Sequence, residues 1–339
     1  MYTRTRVGLA ACATLAVLGL AAPVGASAYT FTSIDDPAAT GDTIASDINN
    51  NGEIVGYYED TTRNPRTPDY HGFTLVGTTF TTLDNPGAVR TFATSVNDSG
   101  TVVGISTDPP STDPNSQVPE THGFTEKGGA FTTFNDPRAT GSGGGTFANG
   151  INTGGTVVGY ETDNLSNNPS SFTYNGTTFT RIVNPNARFG TFAYGINASG
   201  EVVGDYRDSS DAYHGFTMVG TTFTTLDDPL AAPGSFNIVT GVNDSGEVIG
   251  SFDDASGTSF GYVYDGKTFT TLADPLGPDS TSLNGINDAG QIVGNYTDAA
   301  GNTHGFLATP APEPSSWAAF GFSGLSLAVL MLKARRRAA

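Results

Sequence analysis

Between residues 29 and 310 the apolar positions come in short β-rich runs, separated by Gly, Asn, Asp and Pro. This is the pattern of an all-β chain with many turns, not of a helical bundle. One signal recurs six times: an aliphatic residue, Asn, two small or polar residues, Gly, then a β-rich run closed by Gly. The copies are Ile48-Asn49 to Gly56, Val96-Asn97 to Gly104, Ile151-Asn152 to Gly159, Ile196-Asn197 to Gly204, Val242-Asn243 to Gly250 and Ile286-Asn287 to Gly294. The Asn residues are spaced 48, 55, 45, 46 and 44 apart, too regular for chance.

Each repeat has two further parts. A Phe-Thr strand ends in Asx-Pro, at Asp36, Asn85, Asp136, Asn184, Asp228 and Asp274. A His-Gly-Phe strand stands at His71, His122, His214 and His304, replaced in the third and fifth repeats by Ser171-Phe172 and Phe260-Gly261-Tyr262. In Asn97-Asp98-Ser99-Gly100, Gly takes the left-handed region of a tight turn and the Asn side chain bonds the turn backbone. The run that follows, such as Glu201-Val202-Val203-Gly204, is apolar on both faces, as suits a strand between two other sheets. Its closing Gly marks close backbone approach. A short turn at Val219-Gly220-Thr221 makes His-Gly-Phe and Phe-Thr a hairpin. Pro ends that strand because it cannot donate to the ladder.

Four short strands per repeat and this period predict a six-bladed β-propeller of four-stranded blades. The mature chain opens on a lone Phe-Thr strand, Phe31 to Ile34, and ends after a lone His-Gly-Phe strand at His304. The first strand is therefore expected to complete the last blade, which removes exposed edges.

The two ends read as addresses. Residues 1–28 have the form of a signal peptide: Arg4 and Arg6, an apolar run from Val7 to Ala22, and a small-residue cleavage site at Ala26 and Ala28. The single cysteine, Cys12, falls inside this segment, so thiol catalysis and Cys-ligated metals are excluded from the mature chain. Residues 311–339 hold Pro312-Glu313-Pro314, an apolar run from Ala318 to Leu332 that predicts a hydrophobic helix, then Lys333, Arg335, Arg336 and Arg337. The formal net charge is −18; residues 29–310 alone carry nine basic and 32 acidic side chains, net −23. That balance repels phosphate backbones and argues against a nucleic-acid partner.

The order Pro312-Glu313-Pro314, apolar helix, Arg335-Arg336-Arg337 resembles the PEP-CTERM sorting signal of Gram-negative bacteria. The resemblance implies processing by signal peptidase and an exosortase. It also implies transient anchoring in the inner membrane, then export to the cell surface or the extracellular matrix, often beside exopolysaccharide. The Ile/Val-Asn-x-x-Gly-x-Val-Val-Gly run with His-Gly-Phe resembles the extracellular HAF repeat family. Gly here replaces the family's middle Ala, and the family implies secretion without an established activity.

Candidate chemistry is sparse. All four histidines share one repeat position, and a hydrogen bond inside each blade, repeated four times, accounts for them better than a metal cluster, whose ligands must converge on one ion. Loop aspartates Asp60, Asp108, Asp163, Asp208, Asp253, Asp254 and Asp298 suit a solvated acidic face. Calcium or a glycosidase carboxylate pair are the functional readings, and no EF-hand loop is present. Gly141-Ser142-Gly143-Gly144-Gly145 lacks the helix of a nucleophile elbow and the Lys-Ser/Thr of a phosphate cradle. The Pro-rich link Thr107–Glu120 and the Gly-rich link after Pro137 depart from the repeat, where binding loops commonly sit. No catalytic constellation and no cofactor are expected. The expected role is a non-catalytic surface or matrix module, either binding a polysaccharide or a surface protein or purely structural, with a secreted glycosidase or lyase as the alternative.

Overall fold

The computed structural model describes residues 29–64, 68–109, 119–140, 144–163, 168–277 and 280–311. The cleavage site at Ala26 and Ala28 and the sorting segment from Pro312 to Arg337 lie outside these residues. So do 110–118 of the second link and 141–143 of the Gly-rich link.

Among the described residues there are 24 strands and no helix. The strands group as six four-stranded antiparallel meanders. Residues 43–83 form the first unit, 90–134 the second, 145–182 the third, 191–225 the fourth and 237–272 the fifth. The sixth combines 282–310 with Tyr29–Ile34, which pairs antiparallel to Thr303–Pro310 from Tyr29↔Pro310 to Ile34↔Gly305. The N-terminal strand thus closes the last unit, as the order of the sequence parts predicts.

The repeat residues explain why each unit has the same shape. The second strand of each unit is buried on both faces. A Cβ on its closing glycine would overlap a carbonyl oxygen of the first strand: Ile44 at Gly56, Phe92 at Gly104, Phe147 at Gly159, Phe192 at Gly204, Ile238 at Gly250 and Ser282 at Gly294. The aromatic ring of the third strand fills that space, with Phe73 over Gly56, Phe124 over Gly104 and Phe306 over Gly294. These rings are fully buried, as are Phe172, Phe216 and Tyr262 in the other units. His-Gly-Phe is therefore a core element, and its Phe anchors the unit.

Apolar clusters cross from each unit to the next. Val203 of the fourth unit packs with Val239, Val248 and Tyr262 of the fifth. Val293 of the sixth packs with Ala45 and Ile48 of the first, so the array closes on itself.

The six repeat asparagines reinforce the closure. Asn49 Oδ1 accepts the backbone N–H groups of Asn51 and Glu53, each at 3.0 Å, and Gly52 takes φ +77°. The amide Nδ2 then donates to the carbonyl of the next unit's asparagine. Asn49 reaches Asn97 (3.1 Å), Asn97 reaches Asn152 (3.0 Å) and Asn152 reaches Asn197 (3.2 Å). Asn197 reaches Asn243 (3.1 Å), Asn243 reaches Asn287 (3.2 Å) and Asn287 returns to Asn49 (3.1 Å). Each buried asparagine thus satisfies its own turn and one neighbour's backbone. A closed ring of four-stranded antiparallel sheets is the β-propeller arrangement.

Candidate functional site

The histidines form bonds inside each unit, as expected from their shared repeat position. Each Nδ1 meets the side-chain oxygen of the residue just before Asx-Pro. The pairs are His71–Asp84 (2.8 Å), His122–Asn135, His214–Asp227 and His304–Asp35 (each 2.7 Å). The last pair spans the closure between the N-terminal strand and the sixth unit.

Several loop aspartates take the opposite nitrogen: Asp108 at 3.1 Å from His122, Asp208 at 3.5 Å from His214 and Asp298 at 3.4 Å from His304. Asp60 stands near enough to His71 to feel its charge. An imidazole between two carboxylates favours its cationic form. The Asp35 hydrogen bond, aided by Asp298, raises the His304 pKa. At His214 burial pulls downward, but Asp227 and Asp208 outweigh it and the net shift is upward. Three of these aspartates are held low by local donors: the Ser210 hydroxyl lowers Asp208 to about 2, the Thr62 hydroxyl lowers Asp60, and the Asn302 backbone N–H lowers Asp298. His71, His214 and His304 also stack on Tyr58, Tyr206 and Tyr296 at 5.2 Å. At His122, His214 and His304 both ring nitrogens are engaged, so these histidines act as fasteners.

Of the remaining loop aspartates, Asp254 accepts the N–H groups of Ser256 and Thr258, and Asp253 accepts the Ser259 hydroxyl. Asp163 follows the strand Val157–Thr162. The seven are spread over different units rather than brought into one cleft. Among the described residues no three His, Cys, Asp or Glu side chains converge to hold a metal ion.

A cavity of about 110 Å³ lies inside the ring of first strands. Two residues there break the repeat: where four units carry Gly150, Gly195, Gly241 and Gly285, the first two carry Asp47 and Ser95. The Asp47 carboxylate accepts the Ser95 hydroxyl at 2.5 Å and the N–H groups of Val96 (3.1 Å) and Ile48 (2.8 Å). A Cβ on Gly285 would collide with it. Burial pushes its pKa up to about 6, against those hydrogen bonds. With these bonds made, Asp47 braces the first two units against each other.

The larger cavity, about 350 Å³, is a groove between the first and second units. Tyr70, His71, Arg63, Arg90, Asp60 and Asp84 line it together with the Asn85-Pro86 link. Tyr70 and Arg90 are Cα partners in a parallel contact between the two units. The Arg90 guanidinium lies 5.6 Å over the Tyr70 ring, which rests against Phe92 at 5.1 Å and Tyr57 at 6.1 Å. Arg63 is held 3.4 Å from Asp69 at the rim.

The equivalent contact between the second and third units joins Thr121 to Gly145, and that between the fifth and sixth joins Ser259 to Ser280. The fold therefore does not require Tyr or Arg at these positions. The pair is not legible in the repeat pattern itself; its one signal in the sequence is the change from Thr to Tyr before His-Gly-Phe. The groove offers a supported aromatic face, two guanidiniums and several carboxylates: a stacking surface ringed by planar donors and acceptors.

No protein-family model and no curated protein matches this sequence. Solved structures do. The SapL1 lectin, in complex with α-methyl fucoside, matches at 10% identity over 82% of this chain and 98% of its own, with a TM-score of 0.50. A Hadza microbial sialidase matches at 13% identity over 80% of this chain and 66% of its own, with a TM-score of 0.52. The Aleuria aurantia fungal lectin, described as a six-bladed β-propeller with a novel fucose recognition mode, matches at 11% identity over 82% and 98%, with a TM-score of 0.47. At these identities the likeness is one of fold.

Proposed function

We propose that this chain is an exported six-bladed β-propeller that binds glycan without catalysis, through the groove between its first two blades. The single observation that carries the reading is the Tyr70–Arg90 pair. The pair departs from the repeat, faces a cavity and rests on a rigid sheet, so its chemistry serves something other than the fold. A sugar ring stacks its C–H face on Tyr70, while Arg90, Arg63 and the flanking carboxylates bond its hydroxyls. The terminal segments support delivery outside the cell: signal peptidase acts at Ala26–Ala28, and exosortase recognises Pro312-Glu313-Pro314 and Arg335–Arg337. The destination in this reading is the cell surface or exopolysaccharide matrix of a Gram-negative bacterium.

The test uses the full chain in a sugar-free polyoxyethylene detergent, mixed with the producing organism's exopolysaccharide and run on a sizing column. Co-elution of intact polymer with the wild type, and separate elution of Tyr70→Ala, is the expected result. Shortened polymer would replace the binding reading with a glycosidase or lyase. Separate elution of the wild type, together with no binding to a panel of immobilised glycans, would overturn the glycan reading.

A further inference from the structure

A second place breaks the repeat in a related way, at the junction of the fourth and fifth units. Tyr213 occupies the position of Tyr70, the residue before His-Gly-Phe, and Phe236 occupies that of Arg90. Their rings lie 5.4 Å apart. Phe236 is 40% exposed and Phe189 38% exposed. The Arg207 guanidinium lies 5.0 Å from the Tyr213 ring and 5.9 Å from Phe189, and the exposed Arg188 lies 5.5 Å over Phe189. Residues 29–310 hold nine cationic side chains; Arg63 and Arg90 line the first groove, Arg207 faces Tyr213, and Arg188 stands beside Phe189 in the link that enters the fourth unit. Acidic side chains flank each place: Asp60, Asp69 and Asp84 line the first groove, and Asp211 pairs with Arg207.

The same junction also holds unpaired buried polar atoms. Among the described residues nine buried side-chain polar atoms lack a hydrogen-bond partner. Six of the nine belong to Asp205, Arg207, Asp228 and Asn237, on the two faces that meet here. In the other five units the position of Asn237 is Thr, whose hydroxyl accepts the Asx backbone N–H, as Thr91 does for Asn85 at 3.0 Å. Here that cap is exchanged for an amide with neither end paired. Native folds rarely leave such groups unpaired without a functional reason.

We infer that the junction of the fourth and fifth units is a second saccharide site, taking a carboxylate-bearing sugar residue. Phe236, Tyr213 and Phe189 supply the stacking surface and Arg188 receives the carboxylate. The ligand class rests on the glycan reading of the first groove. The two junctions are three units apart in either direction round the ring, on opposite sides of the disc. One molecule thus holds two chains of an acidic polymer, and it cross-links them by bivalency.

Isothermal titration of the full chain, in the same detergent, uses trigalacturonic acid as the acidic probe and maltotriose as the neutral one. The wild type should bind two molecules of trigalacturonic acid. The Arg188→Gln/Phe236→Ser variant should bind one, and so should Tyr70→Ala. Arg188→Gln alone, an exposed change with an unaltered melting temperature, should weaken the second event roughly tenfold and leave maltotriose binding unchanged. Only the wild type should precipitate polygalacturonate, with a maximum at an equivalence ratio. If the Arg188→Gln/Phe236→Ser variant keeps wild-type stoichiometry and affinity, the second site is overturned and the first groove stands. If that variant loses all binding while Tyr70→Ala loses none, the second site stands and the groove reading falls. Absence of binding by the wild type to either probe overturns the second site; the glycan panel then decides the first groove separately.

Discussion

Asp205 offers the sharpest test of the packing argument. Its carboxylate is buried at the face the fourth unit turns to the fifth, with no partner at ordinary hydrogen-bond distance and only the Tyr194 hydroxyl and the Arg207 charge near it. Burial pushes its pKa from 3.8 up to about 7, against the Tyr194 hydroxyl and the Arg207 charge. The shift is about three pH units, and each unit is worth 1.36 kcal/mol, so ionised Asp205 destabilises the fold by roughly 4 kcal/mol. The folded pKa lies above the unfolded one, so the folded state retains the proton. The group is harmless below about pH 4, stability falls as pH rises from there, and the loss levels off above about pH 7. Asp205→Asn removes the titration and keeps the shape, but leaves an unpaired amide that costs about 1–3 kcal/mol. The amide cost does not depend on pH and cancels between two conditions. Urea unfolding of both chains at pH 5 and pH 8 isolates the effect. The variant should gain on the wild type by roughly 2–3 kcal/mol more at pH 8 than at pH 5. Asp47 titrates in a similar range but is present in both chains. An equal difference at the two pH values would refute the assignment of Asp205 as a buried carboxyl without adequate partners.

Asn197→Ala strips the acceptor of the Glu201 N–H at 3.0 Å and the donor to the Asn243 carbonyl at 3.1 Å; urea unfolding should show a loss of about 2–4 kcal/mol. Gly204→Ala places a methyl group on the Phe192 carbonyl oxygen, and soluble expression should fall to background on a gel of the clarified lysate. Asp35→Asn should lower the His304 pKa, read from its imidazole proton resonances. The sign follows from the raised pKa: the bond stabilises the fold below the unfolded histidine pKa, and the contribution is lost as pH rises through the folded value. Arg90→Gln should weaken glycan binding roughly tenfold on a glycan panel while leaving the melting temperature unchanged, because Arg90 contributes its head to the groove rather than to the core.

The repeat architecture was readable because six copies average out local variation. Asn, Gly and Phe recur where the turn, the close approach and the core demand one residue type. The closure by Tyr29–Ile34 followed from the order of parts alone, since a lone strand at each end leaves one pairing that hides both edges. What stayed hidden lies between repeats. The Nδ2 bonds from each asparagine to the next unit cannot be seen in any single copy, because the turn already accounts for the residue through Oδ1. Tyr70 and Arg90 stand in different repeats, and only the parallel contact between units joins them. The loop aspartates looked like a solvated face, yet four of them stand near histidines whose partners on the other side come from the Phe-Thr strand end. Departure from the repeat is therefore an informative signal, although it needs a second criterion. Asp47 and Ser95 depart from it as sharply as Tyr70 and Arg90 do, but their hydrogen bonds are made within the ring. Tyr70, Arg90, Arg188 and Phe236 depart from it and keep surface free. That difference separates residues that stiffen the propeller from those to which the proposed reading gives a ligand.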